Sequence, residues 1–266
     1  MIDLSNAVHI KEREYELNGD KIYLKRSNNY REFIAEEIAK FLGIDTVHYE
    51  IGIRNGIQVT FSKSFYDSDE TYVDGGQLLS NYLSSLVDDK DYLSIQHLNN
   101  LTDIFGALES QFGPEYNSNI QKIKNDLVKM FCFDILLRNY DRETPNWGIV
   151  SKNNEIRLAP MFDNESILIG AKFSISMGID RENNDILFAD LLEKFLNTSD
   201  ITFKDIFFNM YDKLTLEALE TIFKKVEEDR NITIDEYYHT EALNSYRKHR
   251  NSLQAIVEQY QQVKKL

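Results

Sequence analysis

The chain has 266 residues, 42% of them hydrophobic and 12% aromatic, which is enough apolar mass for one large or two modest folded lobes and too much for a disordered chain. Its 30 Lys and Arg stand against 44 Asp and Glu, and a net charge of −14 repels phosphate backbones, so direct nucleic-acid binding is not expected. The single cysteine, Cys132 in "VKMFCFDILL", excludes an intrachain disulfide and a cysteine zinc site and reads as a small core residue.

The N-terminus "MIDLSNAVHIKEREYELNGDK" has neither a basic n-region nor an apolar core, so no signal peptide is expected. "EYELNGDKIYLKR" follows as two alternating segments joined at Asn18-Gly19-Asp20, a hairpin signal. "NNYREFIAEEIAKFLGI" carries Phe33, Ile34, Ile38, Phe41 and Leu42 at helical spacing, with Gly43 as the stop. "VHYEIGIRNGIQVTFSKSF" gives a second hairpin turning at Asn55-Gly56. Residues 1–65 therefore form a small β-rich lobe of order β-β-α-β-β. The polar, Gly-containing stretch from Tyr66 to Gln77 reads as a hinge linker.

From residue 78 to 266 the pattern is mainly helical. "LLSNYLSSLV", "YLSIQHLNNLTDIFGAL" and "NSNIQKIKNDLVKMFCFDILLRN" show i, i+3, i+4 apolar spacing. A short strand pair, "NWGIVSKNNEIRLAP", interrupts the helices and turns at "KNNE". Helices resume with "NDILFADLLEKFLN", "TFKDIFFNMYDKL", "LEALETIFKKVEEDR" and a long last one from about Ile234 to Gln262. Within that last helix Arg247, Lys248, His249 and Arg250 read as a solvated face. No run of 18 apolar residues occurs, so no membrane span is expected and the cytoplasm is the default compartment. The fold class is α+β, with a small β-rich lobe, a larger helical lobe and a ligand cleft between them.

The chemistry concentrates in "LLRNYDRETPNWGIVSKNNEIRLAPMFDNES" (Leu136 to Ser166). If its two strands pair, Asp141 and Asn146 lie at the same open end of the hairpin as Asp163. Two carboxylates and an amide oxygen at that density suit Mg²⁺, which takes one or two carboxylates together with phosphate oxygens. An acid beside the ion and outside its coordination sphere orients a hydroxyl for attack. That is the set of parts phosphoryl transfer uses. Taken singly, Asp and Asn are ordinary turn and cap residues, and their order around one hairpin is what outweighs that reading.

"NYDRETPNWGIV" followed by "IRLAPMFDNES" resembles the HipA-like bacterial serine/threonine kinases, and is also similar to the type II phosphatidylinositol 4-kinases. In the small lobe, "REFIAEEIAKFLGI" resembles the HipA-like helix that follows the ATP lysine, matching at Glu32, Ile38, Ala39, Leu42, Gly43 and Ile44. The resemblance implies a two-lobed protein-kinase-like fold with ATP and Mg²⁺ as cofactors. It implies Asp141 as catalytic base, Asn146 and Asp163 as metal ligands, Lys25 on the ATP phosphates and Glu32 as its ion-pair partner, with Glu36 one helical turn on as the fallback. The expected reaction is phosphorylation of a protein serine or threonine, in the manner of a toxin acting on a translation factor, with an antitoxin as partner. Alternatives are a lipid kinase, a small-molecule phosphotransferase, and a pseudokinase or nucleotide-binding module.

Two features depart from the family pattern. Glu143 stands where a histidine is common, and no glycine-rich phosphate loop precedes Lys25, where Gly19 in the hairpin turn is the one glycine. Backbone amides of Ser5–Val8 or Asn18–Asp20 are the candidates to cover phosphates. Either a separate small protein supplies the family's N-terminal subdomain or the chain is a minimal kinase core. Ser5 and Ser27 are weak autophosphorylation candidates, and Lys63 is expected on the surface.

Overall fold

The computed structural model describes residues 1–25, 30–86, 101–169, 173–174, 186–198 and 201–263. Ser27 and the first half of the helix read over "YLSIQHLNNLTDIFGAL" lie outside those residues. Three two-residue turns organise the strands, each with both residues at positive φ: Asn18-Gly19 (54° and 89°), Asn55-Gly56 (53° and 76°) and Asn153-Asn154 (47° and 64°). Such turns match the right-handed twist of the strands they join, and Asn and Gly tolerate the left-handed backbone they need.

The small lobe is a six-stranded sheet of β1 (Ile2–Asp3), β2 (Val8–Lys11), β3 (Glu14–Leu17), β4 (Asp20–Lys25), β5 (Tyr49–Arg54) and β6 (Ile57–Lys63), in the order β1-β5-β6-β4-β3-β2. Helix α1 (Tyr30–Leu42) connects β4 to β5. It stops as its sequence requires: Gly43 takes φ 73°, and Ile44 N–H reaches back to Ala39 O at 2.9 Å. Strands β1 and β2 extend the four-stranded expectation. The first is two residues long, and the second enters through a β2–β3 turn that contains no glycine, so neither carries a periodic signal. Leu4, Ala7, Ile22, Leu24, Val59 and Phe61 form this lobe's own apolar cluster.

The large lobe contains a three-stranded sheet, β7-β8-β9, of β7 (Thr71–Asp74), β8 (Gly148–Lys152) and β9 (Glu155–Leu158). The stretch read as a linker thus holds a strand, paired through Thr71↔Ser151 and Asp74↔Gly148. Its polar composition is that of an edge strand with one face in solvent. Helices α2 (Gly75–Leu86), α3 (Leu101–Gln111), α4 (Asn117–Leu137), α5 (Phe188–Thr198), α6 (Ile201–Lys213), α7 (Leu216–Arg230) and α8 (Glu236–Val263) complete the lobe, with a two-stranded ribbon, β10 (Phe173–Ser174) and β11 (Ile186–Leu187), before α5. Helix α4 is the axle. Leu127, Cys132, Phe133 and Ile135 are fully buried, as a helix apolar on most of its faces must be.

The basic run on α8 departs from its expected solvated face. Arg247 and Lys248 face solvent, but His249 is buried, with its Nε2 2.7 Å from Ile135 O. Burial pulls the His249 imidazole down to about 4, so it is a neutral core residue at physiological pH. Arg250 turns inward to donate to the carbonyls of Tyr211 and Leu214.

Two devices join the lobes. The segment after α1 forms a bridge between Thr46 and Met161, with Met161 N–H donating to Asp45 O (2.9 Å) and Val47 N–H to Met161 O (3.0 Å). On the other side α1 is tied to α7, where Glu36 accepts from Arg230 (3.0 Å) and Glu37 from Lys225 (2.6 Å).

Candidate active site

Lys25 is the last residue of β4 and Glu32 lies in the first turn of α1. Their side chains form an ion pair, and Lys25 Nζ also contacts Asp163 Oδ1 at 2.5 Å and Glu165 Oε2 at 3.4 Å. Glu32 is fully buried, and its second oxygen accepts the backbone N–H of Asn164 at 3.1 Å. One carboxylate therefore fixes both the lysine of the small lobe and the backbone that follows Asp163. Burial raises the Glu32 carboxyl while Lys25 opposes that rise, and the two adjacent carboxylates push the Lys25 ammonium above its ordinary value, so it is charged. Glu36, the fallback partner, is engaged elsewhere. It accepts from Lys40, Arg230 and Tyr49 N–H and contacts His48.

The large lobe supplies three more residues. Helix α4 ends in a left-handed cap at Arg138, and the loop after it carries Asp141. Asn146 closes a 3-10 turn, Thr144–Asn146, just before β8, and its Nδ2 donates to Asp141 O at 2.9 Å. That bond leaves Oδ1 as the amide oxygen with no partner among the described residues. Asp163 follows β9, sits at φ 55° and donates its N–H to the Tyr49 hydroxyl (3.1 Å). A non-glycine residue in the left-handed region persists only where its surroundings hold it, and such residues cluster at functional sites. Asp141, Asn146 and Asp163 thus flank the open end of the β8–β9 hairpin, Asp141 and Asn146 before β8 and Asp163 after β9.

Sequence reading missed what holds these loops together. Arg142 is buried at 1% exposure. It makes a two-pronged contact with Asp134 (3.0 and 3.1 Å), donates to the carbonyls of Asn146 and Phe162 (3.0 and 3.2 Å), and reaches Asn164 Oδ1. One guanidinium therefore spans α4, the Asp141 loop and the Asp163 loop, as its fixed fork of five donors allows. Asn139 adds a bond to Asp134 (2.8 Å). The signal for this hub is Asp134 itself, an acid inside the otherwise apolar "MFCFDILL". Ser166 is the other omission, and its hydroxyl donates to Asp141 Oδ2 at 3.4 Å.

Burial raises the Asp141 carboxyl, with Glu143 and Asp163 adding repulsion and Ser166 opposing it. A cavity of about 420 Å³ opens between the lobes, lined by Asp163 but not by Asp141 or Asn146. Its lining combines the charged side chains of Lys25, Arg13 and Asp163 with the aromatic ones of Phe65, Tyr66, Tyr72 and Phe162. Phe65 stacks on Phe162 (5.2 Å) and Tyr66 on Tyr72 (5.7 Å). From the small lobe the lining includes the whole β2–β3 turn, Lys11–Glu14. Neither Ser5–Val8 nor Asn18–Asp20 is among the lining residues.

A two-lobed α+β fold of the protein-kinase type, with a lysine–glutamate pair in the small lobe facing acids on two large-lobe loops, is the class these features define. Residues 10–230 match the HipA-like C-terminal domain, and the chain belongs to that family. It is 26% identical over 206 residues to the serine/threonine-protein kinase CtkA of Helicobacter pylori, a match spanning 74% of this chain and 60% of that protein. Its fold is similar to the crystal structure of that proinflammatory kinase, with a TM-score of 0.69 at 20% identity, covering 97% of this chain and 99% of the other. It is also similar to HipA of Shewanella oneidensis, solved with HipB and operator DNA, with a TM-score of 0.56 at 13% identity, covering 94% of this chain and 65% of the other.

Proposed function

We propose that the chain is an ATP- and Mg²⁺-dependent protein serine/threonine kinase. The observation that carries this reading is Lys25, held between Glu32 and Asp163 at the mouth of the interlobe cavity. A cation pinned across two lobes by acids from each is placed to position a polyphosphate. The residues fit the absent groups. The aromatic side chains of the cavity lining suit a purine, and the Oδ1 of Asn146 with the Asp163 carboxylate suits Mg²⁺. Among the described residues no three His, Cys, Asp or Glu are grouped to hold a metal. Such a two-ligand site is completed by phosphate oxygens. When bound, Mg²⁺ neutralises the charge that builds on the transferred phosphoryl group. The chain's own groups do the rest. Lys25 orients the phosphates, Asp141 accepts and aligns the acceptor hydroxyl, and Arg142 keeps the two loops in register.

Relatedness to a protein named a serine/threonine kinase supports a protein acceptor over a lipid one. The HipA structure contains a HipB partner, which supports an antitoxin-type partner for this chain. A cytoplasmic setting and a translation factor as target are further parts of the proposal. Among the described residues no helix is long and apolar enough to cross a membrane. The test is incubation with γ-labelled ATP, Mg²⁺ and bacterial lysate beside Asp163→Ala. A labelled protein band that disappears in the variant is expected. Equal labelling by both proteins would overturn the assignment.

A further inference from the structure

The phosphate-covering turn lacks glycine, and its side chains differ in what they are committed to. Lys11 pairs with Glu14 (3.7 Å), and Glu14 is shared with Lys21 (3.0 Å). Arg13 is directed at the cleft instead. Its side chain is 66% exposed and makes a long ion pair with Asp163 Oδ2, at 4.0 Å too far for a hydrogen bond. Its backbone, by contrast, is fixed, because Arg13 O accepts the N–H of Leu24 at 2.9 Å, next to Lys25. Arg13 also lines both the 420 Å³ interlobe cavity and the adjoining one of about 710 Å³, and Lys25 borders both as well.

We infer that Arg13 is a nucleotide-phosphate ligand, supplying from a side chain what a glycine-rich loop supplies from backbone amides. This rests on the proposed nucleotide site. Glycines in such loops let the backbone come close to phosphate oxygens. The turn here places Glu12 at φ 44° and carries bulky side chains at every position from Lys11 to Glu14, so its backbone stands off. A guanidinium reaches across that gap and presents paired donors that match phosphate geometry. Arg13 and Lys25 both face Asp163. Bound Mg²⁺ would be held by Asp163, and Arg13 and Lys25 would hold the phosphate oxygens.

The test is calorimetric titration of the full chain with Mg²⁺-ATP and, separately, with adenosine, for wild type, Arg13→Ala and Arg13→Lys. Thermal melts of all three proteins check folding, which an exposed side chain leaves intact. Arg13→Ala is expected to weaken Mg²⁺-ATP by about 10- to 100-fold, the scale of one charge-assisted pair, with adenosine affinity held within about twofold. Arg13→Lys is expected to recover part of the loss, because a point charge replaces a fork. Unchanged ATP affinity in Arg13→Ala, or an equal loss for ATP and adenosine, would overturn the inference and leave the kinase reading standing. Failure of wild type to bind Mg²⁺-ATP at all would remove both.

Discussion

Asp141, the proposed catalytic base, sits where its charge costs stability. Burial and the neighbouring Glu143 and Asp163 raise its carboxyl above its ordinary value. A group whose acidity is weakened by folding destabilises the native state wherever it is ionised. The effect is absent at a pH below its unfolded value and grows as pH rises through the folded one. Asp141→Asn keeps the shape and an acceptor for Ser166 and removes the charge. The variant is expected to melt about 1–3 °C higher than wild type at pH 7–8, to converge with it near pH 4, and to lose phosphoryl transfer. A variant that melts lower at pH 7 would show that Asp141 is held by favourable contacts. The order of Asp141, Asn146 and Asp163 was legible in the sequence because each is polar in a hairpin context. Arg142 was not, because nothing in its local spacing shows that Asp134, eight residues back on a buried helix, awaits it.

At the level of elements, the pair α1 and α7 decides whether Glu32 meets Lys25. Helix α1 carries Glu32 on one turn and Glu36 and Glu37 on the next, and the latter two are gripped by Arg230 and Lys225 of α7. The two grips differ in weight. Glu36 is fully buried and Arg230 is 15% exposed, whereas Lys225 is 55% exposed. Removing one partner of a buried pair strands the other charge, while a solvated pair contributes little. Arg230→Ala leaves Glu36 with Lys40 and the Tyr49 N–H, so it removes one charged bond of several. It is expected to destabilise by about 1.5–3 kcal/mol and to lower kcat about tenfold through loss of α1 position, whereas Lys225→Ala changes stability by less than about 1 kcal/mol. Equal effects of the two in denaturant unfolding would refute this ranking. Sequence periodicity found α1 with its Gly43 stop and α7, and the Asn-Gly turns fixed the hairpins between β3 and β4 and between β5 and β6. It did not find β1, β7 or the β10–β11 ribbon, whose strands of two to four residues are too short for alternation to register. Nor did it show that Glu36 faces α7, since both acids repeat on the same helical stripe.

For the whole molecule, the switch from period-two to helical patterning near residue 75 announced a small lobe and a large one. The way they meet depends on contacts far apart in sequence: Thr46 with Met161, Glu36 with Arg230, and Lys25 with Asp163. These contacts tie the lobes together around the cavity, and that geometry has a thermodynamic consequence. A ligand touching both lobes binds the docked state and neither separated lobe, so its binding energy adds to the cohesion of the whole. Mg²⁺-ATP at about a hundred times its Kd adds about 2.7 kcal/mol, which raises the melting temperature of a chain this size by roughly 5–10 °C in one transition. Asp163→Ala is expected to keep the part of the shift seen with ATP and EDTA and to lose the part that Mg²⁺ adds. Scanning calorimetry separates the outcomes. A single transition that moves with Mg²⁺-ATP supports a nucleotide clamped between lobes. Two transitions of which one moves would place the nucleotide on a single lobe, and no movement at saturating nucleotide would remove it from the cavity.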